Sequence, residues 1–285
     1  MNNSNFIQRL GSRIAVLATT LVIVACSTAP LSSQTSDDRD QSSPYFRFWR
    51  GWKLEALSNE QFLNTMGTTF IPATPDTHAK NGLISYVVGF PSSDHNPKLP
   101  DEIALVGYES KAVYDLAKAT PEGQQYSDLH WTVFDKSVSK SEVPISFHQR
   151  RPEVLESGKA YDMVGKVIDW QQGHTLLFMG NRKPQIEGVE FLKAMTAHVQ
   201  NVANAFADMG LLGYMILTTE DYEIAFLNWE SKAAAEKAFA HGAGKKVGDE
   251  AGRIMDFDMW EEAKTFNGVA KWKKAYQVKF ERRSR

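Results

Sequence analysis

The sequence predicts an α+β fold made of two copies of one β-α-β-β-α-β unit, and three observations predict it. The segment Glu102-Ile-Ala-Leu-Val-Gly-Tyr-Glu-Ser-Lys-Ala112 returns 121 residues later as Glu223-Ile-Ala-Phe-Leu-Asn-Trp-Glu-Ser-Lys-Ala233, identical at seven of eleven positions. Upstream, Gly82-Leu-Ile-Ser-Tyr86 matches Gly210-Leu-Leu-Gly-Tyr214, and Phe62-Leu-Asn-Thr-Met66 matches Phe191-Leu-Lys-Ala-Met195, in the same order. Within each copy, runs of β-branched and aromatic residues alternate with segments of helical spacing.

In the first copy, the aromatic run Tyr45 to Leu54 reads as a strand. Ser58 with Gln61 forms a capping box opening a helix that carries Phe62, Leu63 and Met66, and Pro72 and Pro75 are expected to stop it. Leu83 to Phe90 and Ile103 to Tyr108 read as strands, and Ser110 caps a second helix ending near the Thr120-Pro121-Glu122-Gly123 turn. His130 to Phe134 is expected to close the unit as a strand. In the second copy, Val189, Leu192, Met195, Val199, Val202, Phe206 and Met209 recur every three or four residues, an amphipathic helix finished by Gly210. Strands follow at Leu211 to Thr218 and Glu223 to Trp229, then an Ala-rich helix from Ser231 and a strand around Ile254 to Trp260. Val269 to Phe280 alternates apolar with polar residues, as an added strand does, and residues 145 to 172 hold the crossing between the halves.

The N-terminal region carries a different message. Arg9 and Arg13 precede the uncharged run Ile14 to Ala25, an export signal too short to span a bilayer, which takes roughly 20 apolar residues. The lone cysteine follows at once, and Ile23-Val24-Ala25-Cys26 resembles the lipobox of bacterial lipoproteins. That resemblance implies cleavage after residue 25, lipid on Cys26 and, with Ser27 next, retention on the periplasmic face of the outer membrane. Membrane is thus an expected partner through several acyl chains, each buried CH₂ contributing about 0.8 kcal/mol. Residues 26–44 are polar and read as a tether. The net charge of −2 gives no footprint for nucleic acid, and one cysteine allows no intramolecular disulfide.

The element order is the ferredoxin-like split unit, whose open sheet has helices on one face and needs cover on the other. A second copy supplies it, so residues 45–150 and 151–285 are expected to pack sheet to sheet. The pattern resembles the dimeric α+β barrel superfamily, which includes antibiotic-biosynthesis-type monooxygenases, with the two halves fused; no further oligomer is then required.

Candidate site residues are those present in one copy alone. His78 aligns with Phe206, and His130 stands between Leu129 and Trp131 near Asp128 and Asp135, so each imidazole is a candidate proton acceptor or ligand, or a hydrogen-bonded histidine without chemistry. Trp49, Trp131 and Tyr108 join them as candidates, since the tryptophan-rich strands direct some rings into the space between sheets, as core or as the wall of an apolar pocket. Arg150 and Arg151 with Arg47 and Arg50 form a candidate carboxylate clamp. The seven histidines are scattered, with no metal-binding spacing, and no particular cofactor is indicated. Ser110 and Ser231 read as helix caps rather than nucleophiles. The lack of a convergent acid-base motif favours a non-catalytic periplasmic lipoprotein binding a small apolar or aromatic molecule, or an envelope component. The alternative is a monooxygenase, cofactor-independent or haem-linked, with His130 or His78 as base or ligand.

Overall fold

The computed structural model describes residues 43–90, 97–146 and 153–265. The first repeat runs β1 (Tyr45–Gly51), α1 (Asn59–Thr65), a π-helical turn (Met66–Phe70), α2 (Ile71–His78), β2 (Leu83–Gly89), β3 (Glu102–Tyr108), α3 (Lys111–Ala119), α4 (Pro121–His130) and β4 (Lys140–Ser146). A short strand, β5 (Lys159–Asp162), leads to the second repeat: β6 (His174–Arg182), α5 (Gly188–Phe206), β7 (Leu211–Thr218), β8 (Tyr222–Trp229), α6 (Lys232–Ala240), α7 (Gly242–Ile254) and β9 (Met255–Glu262). A two-residue strand, β10 (Lys264–Thr265), follows.

Both repeats have the same strand order, β2-β3-β1-β4 and β7-β8-β6-β9. β5 joins them by pairing parallel to β4 and antiparallel to β7, while β10 pairs with β2, Lys264 opposite Val88. Because only Ala263 separates β9 from β10, the strand order closes on itself into the expected fused barrel. The central strands β3 and β8 are buried along their whole length, with the opposite sheet on one face and helices on the other. Two covered faces are why these strands read as near-continuous apolar runs.

Local chemistry explains the helix starts. Ser58 and Gln61 make the capping box, and Ser110 and Ser231 accept from Val113 N–H and Ala234 N–H, as N-caps do. Gly82 and Gly210 close the first helical segment of each repeat at φ of +81° and +89°, where an L side chain is strained.

Several elements depart from the sequence-based expectation. Pro72 and Pro75 do not end the first helix: Pro72 sits in the first turn of α2, where its missing N–H does little harm, and Pro75 lies inside a helix already re-phased by the π turn. Thr120 marks no simple stop, because its hydroxyl accepts from Gly123 N–H and starts α4. Residues 121–130 are therefore helical, and the closing strand is β4, not His130 to Phe134. Val189 is 73% exposed, outside the buried stripe of α5. Strand β6 is the opening strand that the β-α-β-β-α-β order requires of the second copy, at residues to which no strand is assigned from the sequence, and Val269 to Phe280 lies outside the described residues.

Among the described residues the barrel interior is packed core. Phe46, Phe48 and Leu105 from the first repeat pack with Leu177, Leu217 and Phe226 from the second, all within 2% of full burial, and the rings of Phe48 and Phe226 stand 5.7 Å apart. Among the described residues the space between the sheets is core, and most tryptophans lie elsewhere: Trp49 and Trp229 face the helices, and of the described tryptophans Trp170 joins the interior.

Candidate functional site

The site lies between the sheet and the helices of the first repeat. A pocket of about 150 Å³ opens there, lined by Arg47, Trp49, His78, Tyr108, Tyr114, Lys118, Tyr126, His130 and Trp131 among others. All five non-cysteine candidates, His78, His130, Trp131, Tyr108 and Trp49, stand around this one space. Cys26 lies outside the described residues. An inner space of about 20 Å³, enough for one water, shares six of these residues and adds Thr74, Tyr86 and Glu102.

The backbone dictates which side chains arrive here. Alternation along β1 sends Arg47 and Trp49 to the helix face and Phe46 and Phe48 into the barrel. Arg50 accordingly points away and donates to Tyr222 Oη at 2.7 Å, so Arg47 and Arg50 form no joint clamp; Arg150 and Arg151 lie outside the described residues. His130 is the last residue of α4, and its Nδ1 lies 2.9 Å from the Tyr126 carbonyl oxygen one turn earlier. A carbonyl only accepts, so Nδ1 carries the proton and Nε2 keeps the lone pair. Trp49, Phe70 and Tyr126 hold the ring on edge, at centroid distances of 4.8, 4.6 and 4.7 Å. His78 is 5% exposed, and its Nδ1 has no hydrogen-bond partner.

Burial, reinforced by Arg47, lowers His78 to about 4. Burial likewise lowers His130 to about 3, against the Tyr126 carbonyl that favours its charged form. Both imidazoles are therefore neutral near pH 7. Glu102, fully buried, accepts from Trp49 Nε1–H at 2.8 Å and Tyr86 Oη–H at 3.2 Å, and burial raises it to about 8 in spite of those donors. Burial also holds the Tyr108 and Tyr126 hydroxyls above their ordinary range, and Tyr126 shares a 2.5 Å hydrogen bond with Thr74.

Superposing one repeat on the other through strand register and the sequence repeat tells pocket from scaffold. Tyr86 and Glu102 return as Tyr214 and Glu223, bonded at 3.4 Å, so the buried acid and its tyrosine belong to the common core. The polar lining does not return. Arg47, opposite Val106, corresponds to Leu176 opposite Leu227, and Trp49 to Phe178. His78 and Thr74, four and eight residues before Gly82, correspond to Phe206 and Val202 before Gly210. Tyr108, Lys118, Tyr126 and His130 correspond at the 121-residue spacing to Trp229, Phe239, Val247 and Ala251. Phe206, Trp229 and Phe239 pack there with centroids 5.1 to 5.6 Å apart, filling the volume that is open in the first repeat. The π turn is also one-sided: α5 runs as uninterrupted α-helix, and the added residue shifts the spacing between copies from 129 at Phe62 to 128 at Gly82. Such insertions often accompany functional sites.

The retained acids yield a test of the scaffold. Burial raises Glu223 to about 7. Below about pH 4.5 the folded and unfolded chains both hold its proton; between 4.5 and 7 only the folded chain does, so stability falls as pH rises through that window. Glu223→Gln is expected to flatten this part of the stability profile, read from thermal melts across pH 4.5–7.5. A mutant profile parallel to wild type contradicts a buried, protonated Glu223.

Among the described residues, no group of three or more His, Cys, Asp or Glu is placed to hold a metal ion. A haem does not fit either: drug-sized ligands already take pockets of about 300–1,000 Å³, and this one has about 150 Å³.

No family model matches the chain, and no curated protein matches it by sequence. Solved structures do. A provisionally named monooxygenase from Lactobacillus acidophilus NCFM is 13% identical, with 78% of this chain and 94% of that one covered at a TM-score of 0.43. Another, from Fusobacterium nucleatum, is 11% identical, covering 79% and 93% at 0.46. A ferredoxin-fold protein related to antibiotic biosynthesis monooxygenases, from Listeria monocytogenes 4b F2365, is 10% identical, covering 81% and 98% at 0.34. At such identities the likeness concerns the fold alone: an α+β barrel of ferredoxin-like repeats. The expectation of a non-catalytic ligand-binding lipoprotein is corrected here. Among the described residues, the barrel interior assigned to the ligand is packed with side chains, and the open pocket lies instead between the sheet and the helices of the first repeat.

Proposed function

We propose that the first repeat is a cofactor-independent oxygenase site for an electron-rich hydroxyaromatic compound, and that the second repeat is its filled, structural counterpart. One observation carries the reading: at equivalent positions, Arg47, Thr74, His78, Lys118, Tyr126 and His130 replace Leu176, Val202, Phe206, Phe239, Val247 and Ala251. Lys118 is exposed and Thr74, Tyr126 and His130 are hydrogen-bonded, but the buried His78 Nδ1 has no partner, a cost that a ligand would offset.

The chemistry follows from the groups present. A pocket of about 150 Å³ takes one aromatic ring, the size of cavity known to bind benzene, with any further rings in the open mouth. His130 Nε2 accepts the phenolic proton, His78 Nδ1 bonds a second polar atom of the ring system, and the Arg47 charge favours the phenolate. The phenolate is electron-rich enough to give electrons to dioxygen, for which the inner space has room. For a phenol with a free para C–H, the balance is ArH(OH) + O₂ → quinone + H₂O. One oxygen atom enters the ring, the other leaves as water, and the substrate supplies all four electrons, so no external reductant is needed.

The test is oxygen uptake by the purified chain over a panel of phenols and naphthols, followed by ¹⁸O₂ labelling of the product. One labelled atom per quinone is expected. Binding of these compounds without oxygen consumption above the protein-free rate contradicts the reading.

The place of the enzyme rests on its sequence alone. We propose that lipid on Cys26 holds it at the periplasmic face of the outer membrane. Cys26→Ser is expected to release the chain from the membrane fraction and change its electrophoretic mobility; unchanged fractionation and mobility contradict the anchor.

A further inference from the structure

We infer that Glu102 is a further catalytic residue of this site, the acid that gives its proton to the reduced oxygen. The inference rests on the reading of the pocket as an oxygenase site and adds the group that completes its proton balance. Its basis is the face that the chain gives this carboxyl. Alternation along β3 sends Glu102, Ala104, Val106 and Tyr108 to one side, and all four border the inner space of about 20 Å³ proposed for dioxygen. The two side-chain hydrogen bonds of Glu102, from Trp49 Nε1–H at 2.8 Å and Tyr86 Oη–H at 3.2 Å, both run towards it. They fix the carboxyl in place and use none of its capacity to donate. Burial, which raises it to about 8, keeps the proton on the group at pH 7.

The fold supplies a buried acid to both repeats, and the first adds an indole donor and polar surroundings. Glu223 keeps its tyrosine, while Phe178 stands in place of Trp49, and Val202, Phe206 and Ala251 in place of Thr74, His78 and His130. The proton steps then balance. His130 takes the phenolic proton, dioxygen takes one electron from the phenolate, and the two radicals join at the para carbon, leaving the negative charge on the outer oxygen. This peroxide anion, a far stronger base than a carboxylate, takes the Glu102 proton. The carboxylate left behind removes the para hydrogen, and the C–H electron pair becomes the second bond of the new carbonyl as the O–O bond breaks. Hydroxide leaves and takes the proton held by His130, giving water. Substrate and dioxygen become quinone and water, and both side chains end as they began.

Around the inner space the other titratable or charged groups are Arg47 on β1, His78 on α2, Tyr86 on β2, Tyr108 on β3, and Tyr126 and His130 on α4. Burial puts both histidines below pH 5 and holds the Tyr108 and Tyr126 hydroxyls above their ordinary range, which leaves Glu102 to titrate near 8. The experiment measures oxygen uptake by the full chain at saturating 1-naphthol, which has a free para C–H, from pH 5 to 9. An acid must hold its proton to act, so kcat of wild type is expected to fall as pH rises through about 8. Glu102→Gln, whose amide can still accept from Trp49 and bond Tyr86, is expected to turn over about 10²-fold more slowly or worse, with that fall gone and KM within about twofold. Glu223→Gln, which removes the scaffold's own buried acid, is expected to turn over at the wild-type rate. Wild-type turnover in folded Glu102→Gln, or an equal loss in both variants, overturns the proton donor and leaves the oxygenase site standing. Should Glu102→Gln fail to fold, the wild-type profile decides, and a kcat level from pH 7 to 9 overturns the step. No oxygen uptake by wild type overturns the oxygenase reading and this step together.

Discussion

His130→Ala is expected to lower turnover by about 10²–10⁴-fold, the usual contribution of a positioned general base, while leaving the fold nearly intact. The ring closes the last turn of α4 at a partly exposed position, and its equivalent in the second repeat is already alanine, Ala251. The repeat thus demonstrates that this helix packs without an imidazole. The pH profile carries a second signature. Since burial keeps His130 near 3 and His78 near 4, kcat/KM of the wild type is expected to stay level from pH 8 down to about 5, with no histidine limb near 6.5. A base that weak is matched to its task only because Arg47 lowers the phenol's own pKa beside it. A variant that keeps wild-type turnover, or melts far earlier with turnover per folded molecule unchanged, removes His130 from the chemistry.

Phe226→Ala carries the largest expected loss of stability, about 3–5 kcal/mol from lost burial and the cavity left behind. The ring is fully buried inside the barrel against Phe48 of the other repeat, so neither sheet can relax into the space independently. For a chain of this size each kcal/mol lowers the melting temperature by about 2–4 °C. Calorimetry is expected to give one earlier transition, because the two halves share this core. Two separated transitions, or a cost below about 1 kcal/mol, contradict a single fused barrel. Leu116→Ala serves as the control, its side chain being 70% exposed on α3.

The fold was legible in the sequence because its signals are local or repeated. The capping box at Ser58, the N-caps Ser110 and Ser231, and the Glu102 and Glu223 segments each declare an element without knowledge of what packs on it. Residues 121–130 were less so. Thr120 caps a new helix as readily as it marks a turn, and Pro at the first helical position looks in sequence like Pro that ends a helix. The π turn left a trace only in the shift of spacing between copies.

The site was half legible. His78, His130, Tyr108, Trp49 and Trp131 were singled out, yet the space between the sheets was the wrong place for them, since alternation along β1 sends Arg47 and Trp49 to the helix side. Lys118 and Tyr126 were missed, although the 121-residue spacing sets them against Phe239 and Val247. Comparing the two copies position by position finds them; searching for motifs does not, because the site's groups come from five separate elements.

The central claim is that the first repeat holds an open site where the second holds a plug, and transplanting the plug tests it most directly. The triple variant His78→Phe, Tyr108→Trp, Lys118→Phe installs the second repeat's residues in the first. With a hydroxyaromatic ligand titrated into it and melting followed in parallel, the variant is expected to melt at or above the wild-type temperature and to show neither binding nor oxygen consumption. A folded triple variant that still binds the ligand and consumes oxygen at the wild-type rate contradicts the placement of the site.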